Sequence, residues 1–313
     1  MNTKVIGRIV SYLFMVGAVV FLTVAIVRQW GDFVDAVGRM GVWDIVAAGS
    51  MGALAVFTGM LSWRESVAAT AHLIPVGPTT HTFLVSQLGK YVPGSVWAVV
   101  AQVQLMRRYG VSRTRGALGS TISMVISLET AVIVGTVGIF LAGGSISTYW
   151  WLIPVAVVCT LMLVPAVIEW CLGRLARIHK RFASFADVEV DGIALLRSAA
   201  WCIVSWIFWG LQMWLLIRGL GYSGGTLVWF GIGAYALAWS VGRVIAFAPG
   251  GIGPREAALV VILATVVTNS DALALAVITR VVMSLLDVLG AALAAGGSKV
   301  LAGRHRSEQT LGV

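Results

Sequence analysis

The chain is dominated by apolar runs that are the right length to cross a lipid bilayer. Seven runs of 18 to 25 residues occupy positions 9–27, 42–62, 117–141, 150–168, 198–217, 226–243 and 272–295. A spanning helix needs about 20 mostly apolar residues. Only 11% of the residues are charged, against about 25% in a soluble domain. Since a soluble fold made from this chain could not cover its outside with polar residues, we expect an all-α polytopic membrane protein.

Two further apolar stretches, 83–106 and 244–268, are interrupted by helix-breaking residues. The first contains Pro93-Gly94, and positions 248–254 of the second hold two prolines and three glycines. Proline removes a helical hydrogen bond, and glycine weakens a helix. Irregular backbone survives inside lipid only where it is buried in protein or lines a polar cavity. We therefore expect a re-entrant hairpin at 83–106 and a Gly/Pro-broken helix at 244–268, both facing something polar.

The distribution of Lys and Arg predicts the orientation, because cytoplasmic loops carry an excess of both residues. Lys4 and Arg8 precede the first run, which is too long for a signal peptide and is expected to be retained. The pattern favours about eight crossings of the inner (cytoplasmic) membrane, with both termini cytoplasmic. If 244–268 were also re-entrant, the basic C-terminal tail would lie outside instead.

The chain is expected to form a single integral membrane domain over 1–313. Its only sizeable hydrophilic segment, 169–197, is interpreted as a cytoplasmic loop that joins two halves, 1–168 and 198–313. Each half contains one interrupted stretch. Transporters are often built from such repeats, so the halves are candidate repeats.

The residues after the second interruption predict an anion site. Pro254 suits the first turn of a helix, and Glu256 would then lie in that turn, where its charge favours the helix dipole. Arg255 adds a guanidinium whose fork fits phosphate oxygens. Because a helix N-terminus also attracts anions, we expect a phosphate-bearing group to bind there.

The hairpin repeats this logic with Lys90 close to Pro93-Gly94. The candidate substrate-binding residues are Gln87, Lys90, Tyr91, Gly94, Gly250, Gly251, Gly253, Arg255 and Glu256. The alternative is that the breaks only kink helices, and that Arg255 and Glu256 pair with each other or with a neighbour.

Three more ionisable residues lie inside the apolar runs, where each is costly unless it is partnered. Arg280 and Asp287 are about 10 Å apart along one helix. Each is therefore expected to meet a partner on another helix, as a structural ion pair or in a proton relay. Glu129 is a candidate proton site or a buried structural residue. Small residues on one face are expected to serve helix packing, namely Ser120, Ser123, Ser127 and Thr130.

Several other kinds of chemistry find no support in the sequence. The cysteines, Cys159, Cys171 and Cys202, lack metal-ligand spacing, so no metal, catalytic residue or cofactor is expected. No P-loop is present. The net charge of +9 is carried largely by short loops, where membrane topology explains it. We therefore expect no nucleic-acid partner.

Both interruptions resemble the signatures of the lysylphosphatidylglycerol synthase transmembrane-region family. The residues that carry the resemblance are Gln87-Leu88-Gly89-Lys90-Tyr91-Val92-Pro93-Gly94-Ser95-Val96-Trp97 and Phe247-Ala248-Pro249-Gly250-Gly251-Ile252-Gly253-Pro254-Arg255-Glu256. The resemblance implies a membrane flippase, and it marks Lys90, Arg255 and Glu256 as head-group residues. The soluble aminoacyl-transferase domain of the family's namesakes is absent from this sequence, so their synthase activity is not implied.

The resulting expectation is a transporter-like protein, not an enzyme, that flips an anionic, phosphate-bearing lipid. A polyprenyl-phosphate-linked sugar is the favoured substrate, and an aminoacylated phosphatidylglycerol is the alternative. An integral-membrane glycosyltransferase that uses Asp32 and Asp35, and a non-catalytic scaffold for envelope biosynthesis, are the other hypotheses. The expected partners are the lipid itself and glycosyltransferases or other envelope-assembly enzymes.

Overall fold

The computed structural model describes residues 30–91, 96–178, 188–245 and 253–311, and over these residues all regular structure is helical. The helices are α1 (Trp30–Arg39), α2 (Val42–Ala68), α3 (Val76–Gln87), α4 (Trp97–Met106), α5 (Arg113–Leu141), α6 (Ile146–Tyr149), α7 (Leu152–Met162), α8 (Pro165–Ile178), α9 (Gly192–Gly219), α10 (Leu227–Val244), α11 (Pro254–Leu263) and α12 (Asn269–Leu311). Two 3-10 turns, Leu88–Tyr91 and Arg107–Tyr109, follow α3 and α4.

Within the described ranges, five helices are long and apolar enough to cross a membrane. They are α2, α5, α9, α10 and the Asn269–Gly296 part of α12, and they coincide with the runs expected at 42–62, 117–141, 198–217, 226–243 and 272–295. The run at 9–27 lies outside the described residues. The all-α polytopic membrane fold is therefore confirmed, while the number of crossings stays a prediction.

The continuous span expected over 150–168 is wrong. α7 has only 11 residues, and a turn at Leu163 and Val164 separates it from α8. Pro165 explains the break, because proline cannot extend a helix that precedes it and keeps the residue before it out of the helical conformation. Since α8 continues to Ile178, the segment 169–197 is not simply a loop.

The interrupted stretch at 83–106 forms a helical hairpin, as expected, although it begins earlier, at Val76. α3 and α4 have 12 and 10 residues, which makes them about 18 and 15 Å long, well short of a hydrocarbon core of about 30 Å. A Cβ on Gly89 would lie 2.7 Å from the backbone nitrogen of Ala98, so the two arms touch at the turn. The chain then returns to its starting side, where a ring nitrogen of His72 lies 3.0 Å from the carbonyl oxygen of Tyr109.

Contacts between connecting segments define the two ends of the bundle. At one end, Arg39 forms an ion pair with Asp271, and the Tyr222 hydroxyl donates to the same carboxylate at 2.7 Å. At the opposite end, the backbone N–H of Asp191 donates to the carbonyl of Ala69 at 2.8 Å. We call these the Asp271 end and the Asp191 end.

The second interrupted stretch runs back along α10. A Cβ on Gly242, near the last residue of α10, would lie 2.6 Å from the Cβ of Arg255. The backbone N–H of Thr268 donates to the Tyr222 hydroxyl, which precedes α10, at 3.1 Å. The chain therefore travels from the Asp191 end to the Asp271 end before α12 starts, which agrees with a broken crossing and not with a second re-entrant hairpin.

Small and hydroxyl residues allow the long helices to approach closely. A Cβ on Gly138 of α5 would lie 2.7 Å from the backbone nitrogen of Gly233 in α10. Between α2 and α9, the Ser62 hydroxyl donates to the carbonyl of Ser198 at 2.8 Å. Without a hydrophobic force between helices in lipid, such close packing and hydrogen bonding hold the bundle together.

Candidate functional site

A cavity of about 290 Å³ opens among eight helices, α2, α3, α4, α5, α9, α10, α11 and α12. Its lining includes residues of α5 between 120 and 127 and of α10 between 235 and 243, which places it in the half of the molecule nearer the Asp191 end. Its charged lining residues are Lys90, Arg243, Arg255 and Asp287. The two interrupted stretches thus contribute to one site, because Lys90 comes from the first and Arg255 from the second.

The start of α11 positions Arg255. The helix begins at Pro254, as expected, and Gly253 before it has φ 98°, a conformation that side chains with a Cβ rarely adopt. The carboxylate of Glu256 accepts the backbone N–H of Gly253 at 2.8 Å. This cap satisfies one free donor of the helix from within, so Glu256 occupies part of the N-terminus that the sequence analysis assigned to an anion.

The Arg255 side chain is buried, with 3% of its surface exposed. Its guanidinium lies 4.9 Å from the centre of the Tyr235 ring, and Nη1 is 3.4 Å from the sulfur of Met283. Nη2 has no hydrogen-bond partner within the described part of the chain. The undescribed segments nearest in sequence, 246–252 and 92–95, contain no Asp or Glu, so they cannot supply a carboxylate.

Lys90 is paired. Its Nζ lies 2.7 Å from a carboxylate oxygen of Asp287, and the Tyr91 hydroxyl donates to the same oxygen at 2.6 Å. Tyr91 also contacts the hydroxyl of Ser284 at 3.2 Å. The hairpin is therefore tied to α12 through Asp287, and Tyr91 serves this contact and does not line the cavity.

A second ion pair lies behind the cavity wall. Nη1 of Arg280 is 3.3 Å from a carboxylate oxygen of Glu256, and neither residue is among those that line the cavity. Arg280 and Asp287 thus each meet a partner on another element, as their spacing along α12 predicts. The pairing alternative holds for Glu256, which pairs with Arg280, whereas Arg255 has no carboxylate partner among the described residues.

The other predicted residues have mixed outcomes. Gln87 lines the cavity, whereas Gly94, Gly250 and Gly251 lie outside the described residues. Glu129 is buried at 7% exposure on the side of α5 opposite the cavity, and one of its oxygens lacks a hydrogen-bond partner among described residues. The small-residue face has a second role besides packing, because the cavity is lined by Ser120, Ser123 and Ser127.

Several residues that line the cavity were not predicted from the sequence. Arg243 ends the apolar run 226–243 and was not among the candidate residues, although its place immediately before the second interruption was a usable signal. Gln102 offers an amide, and it too lines the cavity. Aromatic side chains form much of the remaining wall, namely Trp63, Phe83, Trp206, Trp209, Tyr235 and Trp239. No sequence signal separates these rings from lipid-facing ones.

A comparison with known families identifies the family of the chain. The profile described as "Lysylphosphatidylglycerol synthase TM region" matches residues 8–290, which include both interrupted stretches and every cavity residue. The chain belongs to this family. Membership in the lysylphosphatidylglycerol synthase transmembrane-region family indicates a multi-pass membrane protein with a function related to membrane lipids. No curated protein matches the chain.

Within the described ranges, no three residues among His, Cys, Asp and Glu come together in a way that could hold a metal ion. The polar groups of the described cavity wall are guanidinium, ammonium, carboxylate, amide and hydroxyl groups.

Proposed function

We propose that the protein is a lipid translocase, or flippase, that moves an anionic, phosphate-bearing lipid across the cytoplasmic membrane. One observation carries the proposal: the buried guanidinium of Arg255 lines a cavity and has no carboxylate partner among the described residues. A buried charge is strongly unfavourable unless an opposite charge accompanies it. A phosphate head group supplies that charge, while the lipid tail can stay in the bilayer.

The balance of charge in the cavity favours an anionic lipid over a lysylated phosphatidylglycerol. Three cationic side chains face one carboxylate, Asp287, so the described lining has a net charge of +2. A lysyl head group carries two ammonium groups beside one phosphate, and like charges in a cavity of low dielectric repel each other. The carboxylate is also already engaged by Lys90.

The aromatic wall supports a sugar-bearing head group, and thus the polyprenyl-phosphate-linked sugar as substrate. Trp209 and Tyr235 stack with ring centroids 5.2 Å apart, and Trp206 and Trp239 meet edge to face at 4.8 Å. Rings held in this way present flat apolar surfaces against which the C–H face of a sugar can lie. Gln87 and Gln102 supply amides for sugar hydroxyl groups.

The distribution of basic residues supports an orientation for the proposed flippase. Arg107, Arg113 and Arg115 lie near the Asp191 end, so the positive-inside rule assigns that end to the cytoplasm. The cavity would then face the side on which lipid-linked precursors are made. Glycosyltransferases or other envelope-assembly enzymes of the same membrane are the proposed partners.

The glycosyltransferase alternative lacks a specific observation in its favour. Asp35 is exposed on α1, a helix at the Asp271 end, whereas the cavity lies in the other half of the molecule. The side chain of Asp32 lies outside the described residues.

The flippase proposal is tested in proteoliposomes with a short-chain polyprenyl-phosphate-linked glucose as the probe. Periodate does not cross the membrane, so it oxidises at once only the sugar in the outer leaflet. Probe molecules that start in the inner leaflet are oxidised only after they are flipped, and the rate of this slower phase reports the rate of flipping. We expect the wild-type protein to flip the probe. Arg255→Gln should slow flipping about 10- to 100-fold, which corresponds to the loss of about 1.5–3 kcal/mol from charged hydrogen bonds.

Arg218→Gln is the matched control for this substitution. Arg218, like Arg255, lies over an aromatic ring, in its case Trp214 at 5.5 Å, but it does not line the cavity. A wild-type rate no faster than that of protein-free vesicles would reject the flippase. Equal rates for the wild type and Arg255→Gln would reject the site while leaving the activity.

A further inference from the structure

The ionisable groups around the cavity leave two positive charges unmatched. Lys90 pairs with Asp287 at 2.7 Å, and the other intramembrane pair nearby joins Arg280 to Glu256 at 3.3 Å. Arg243 and Arg255 both line the cavity, and neither forms a salt bridge with any described residue. A ligand with a single negative charge would leave one of these guanidinium groups uncompensated.

The backbone segments that carry these two arginines are in contact. Gly242, which precedes Arg243, packs so closely on Arg255 that a Cβ on the glycine would lie 2.6 Å from the arginine Cβ. The Arg243 guanidinium lies 5.0 Å from the centre of the Trp239 ring, which also belongs to the cavity wall. Arg243 is exposed and Arg255 is buried, so one charge lies towards the mouth of the cavity and the other lies deeper.

A third donor stands beside the buried arginine. Tyr235 is 1% exposed, and its hydroxyl has no hydrogen-bond partner in the described ranges. Its ring lies against the Arg255 guanidinium at 4.9 Å. An unpaired buried hydroxyl is costly at membrane depth, and an oxygen atom of a bound phosphate would satisfy it.

We propose that Arg255, Arg243 and the Tyr235 hydroxyl together bind a head group with two negative charges, such as a lipid diphosphate or a phosphate monoester. This assignment rests on the proposed function, because it takes the cavity to be the head-group site. A phosphodiester, such as the probe of the flipping test, carries one negative charge. It still pairs with Arg255 and can be flipped, but it is the weaker ligand. The sugar of the natural substrate would accordingly be joined to its lipid through a diphosphate, or the substrate would be the lipid monophosphate itself.

The test measures binding and does not depend on flipping. The full chain is purified in detergent and titrated calorimetrically at pH 7.5 with three probes that share one tail: farnesyl diphosphate glucose, in which a diphosphate with two negative charges joins farnesol to glucose; farnesyl phosphate; and the phosphodiester of farnesol with glucose. We expect the diphosphate and the monoester to bind at least about 10-fold more tightly than the diester. Their second negative charge gives Arg243 a charge-assisted hydrogen bond, which is about twice as strong as a hydrogen bond between neutral groups.

Three variants separate the contributions of the three groups. Arg243→Gln should reduce the preference for the dianions to less than about 3-fold while leaving affinity for the diester unchanged. Tyr235→Phe, which removes only the hydroxyl, should weaken binding of all three probes by about 3- to 10-fold, in the range of one lost hydrogen bond. Arg255→Gln should abolish binding, and Arg218→Gln, outside the cavity, should change nothing.

The monoester allows a test on the wild-type protein itself, so that misfolding of a variant cannot explain the result. Its second proton has a pKa of about 6, so at pH 5 it carries one charge. Its affinity for the wild type should then fall to that of the diester, whereas the diester should bind equally at both pH values. Arg243→Gln should show no such dependence on pH.

The outcomes distinguish this inference from the proposed function. Equal affinities for diphosphate and diester in the wild type, with both lost in Arg255→Gln, would overturn the dianion assignment and leave the phosphate site intact. Failure of all three probes to bind would overturn the site itself. If Arg243→Gln weakened the binding of all three probes equally, Arg243 would not discriminate between head groups with one and with two negative charges.

Discussion

Asp287 joins the hairpin to α12 through its ion pair with Lys90, and the two partners are buried to different extents. Its carboxylate is 2% exposed, while the side chain of Lys90, which pairs with it, is 22% exposed. Removing one partner of a buried ion pair is costly because the other charge loses its compensation. The cost therefore depends on which charge is left behind: an uncompensated Asp287 has no access to water, whereas Lys90 has some.

At this scale we expect Lys90→Met to destabilise the protein more than Asp287→Asn does. Leaving a buried carboxylate unpaired should cost about 3 kcal/mol or more, and the double variant Lys90→Met/Asp287→Leu should recover most of that loss. Unfolding temperatures of the three variants in detergent test this order. A double variant no more stable than Lys90→Met would mean that the pair is not the source of the loss.

The α11 helix shows what the sequence could and could not predict. Its start at Pro254 followed from helix-capping chemistry alone, because Pro254 and Glu256 lie three residues or fewer from Gly253. The hydrogen bonds and ion pairs that join the hairpin to α12 did not follow in this way. Tyr91 and Asp287 are separated by 196 positions, and only the packing of α3 against α12 brings them together.

The sequence did not reveal features in which the same residue types occur in different surroundings. Trp43 is 82% exposed, while Trp206 lines the cavity, and both look like ordinary members of apolar runs. The break before Pro165 was visible in the sequence, but the apolar residues on either side suggested one span. Periodicity cannot tell a ring that faces lipid from one that faces a cavity, since both surroundings accept apolar groups.

The geometry of Gly253 gives a prediction at the level of the helix start. With φ 98° and ψ −71°, a backbone conformation that a side chain with a Cβ strains, Gly253→Ala should cost about 1–3 kcal/mol, and it should weaken ligand binding because Arg255 loses its position. Gly225→Ala is the matched control: it lies in a turn with open space around it and an ordinary φ. Thermal unfolding and titration with farnesyl phosphate of both variants check this. Equal unfolding temperatures and equal affinities for the two variants would show that Gly253→Ala introduces no backbone strain.

At the scale of the whole molecule, the two ends of the bundle are closed to different degrees. The Asp271 end is held by the Arg39 ion pair and by Tyr222, which also accepts the N–H of Thr268. The cavity lies in the other half and reaches the surface at Arg243. Among the described residues, the cavity therefore lies closer to the Asp191 side and opens towards it.

This asymmetry predicts one-sided labelling of the cavity. A cysteine introduced as Gln102→Cys, with Cys159, Cys171 and Cys202 replaced by alanine, should react with a membrane-impermeant maleimide from the Asp191 side. Labelling from the Asp271 side should be at least about 10-fold slower, and Tyr222→Phe combined with Asp271→Asn should increase it, because two contacts that close that end are lost. Equal labelling from both sides in the parent protein would show that the Asp271 end is not closed.

The unmatched guanidinium groups have an electrical consequence. A head group with two negative charges that leaves them and crosses to the outside moves with the resting voltage of a cell, whose interior is negative. Each elementary charge carried across 100 mV changes the free energy by about 2.3 kcal/mol, so two charges would release about 4.6 kcal/mol. In the orientation proposed above, with Arg243 and Arg255 holding the anion on the inner side, the membrane voltage would thus favour its export.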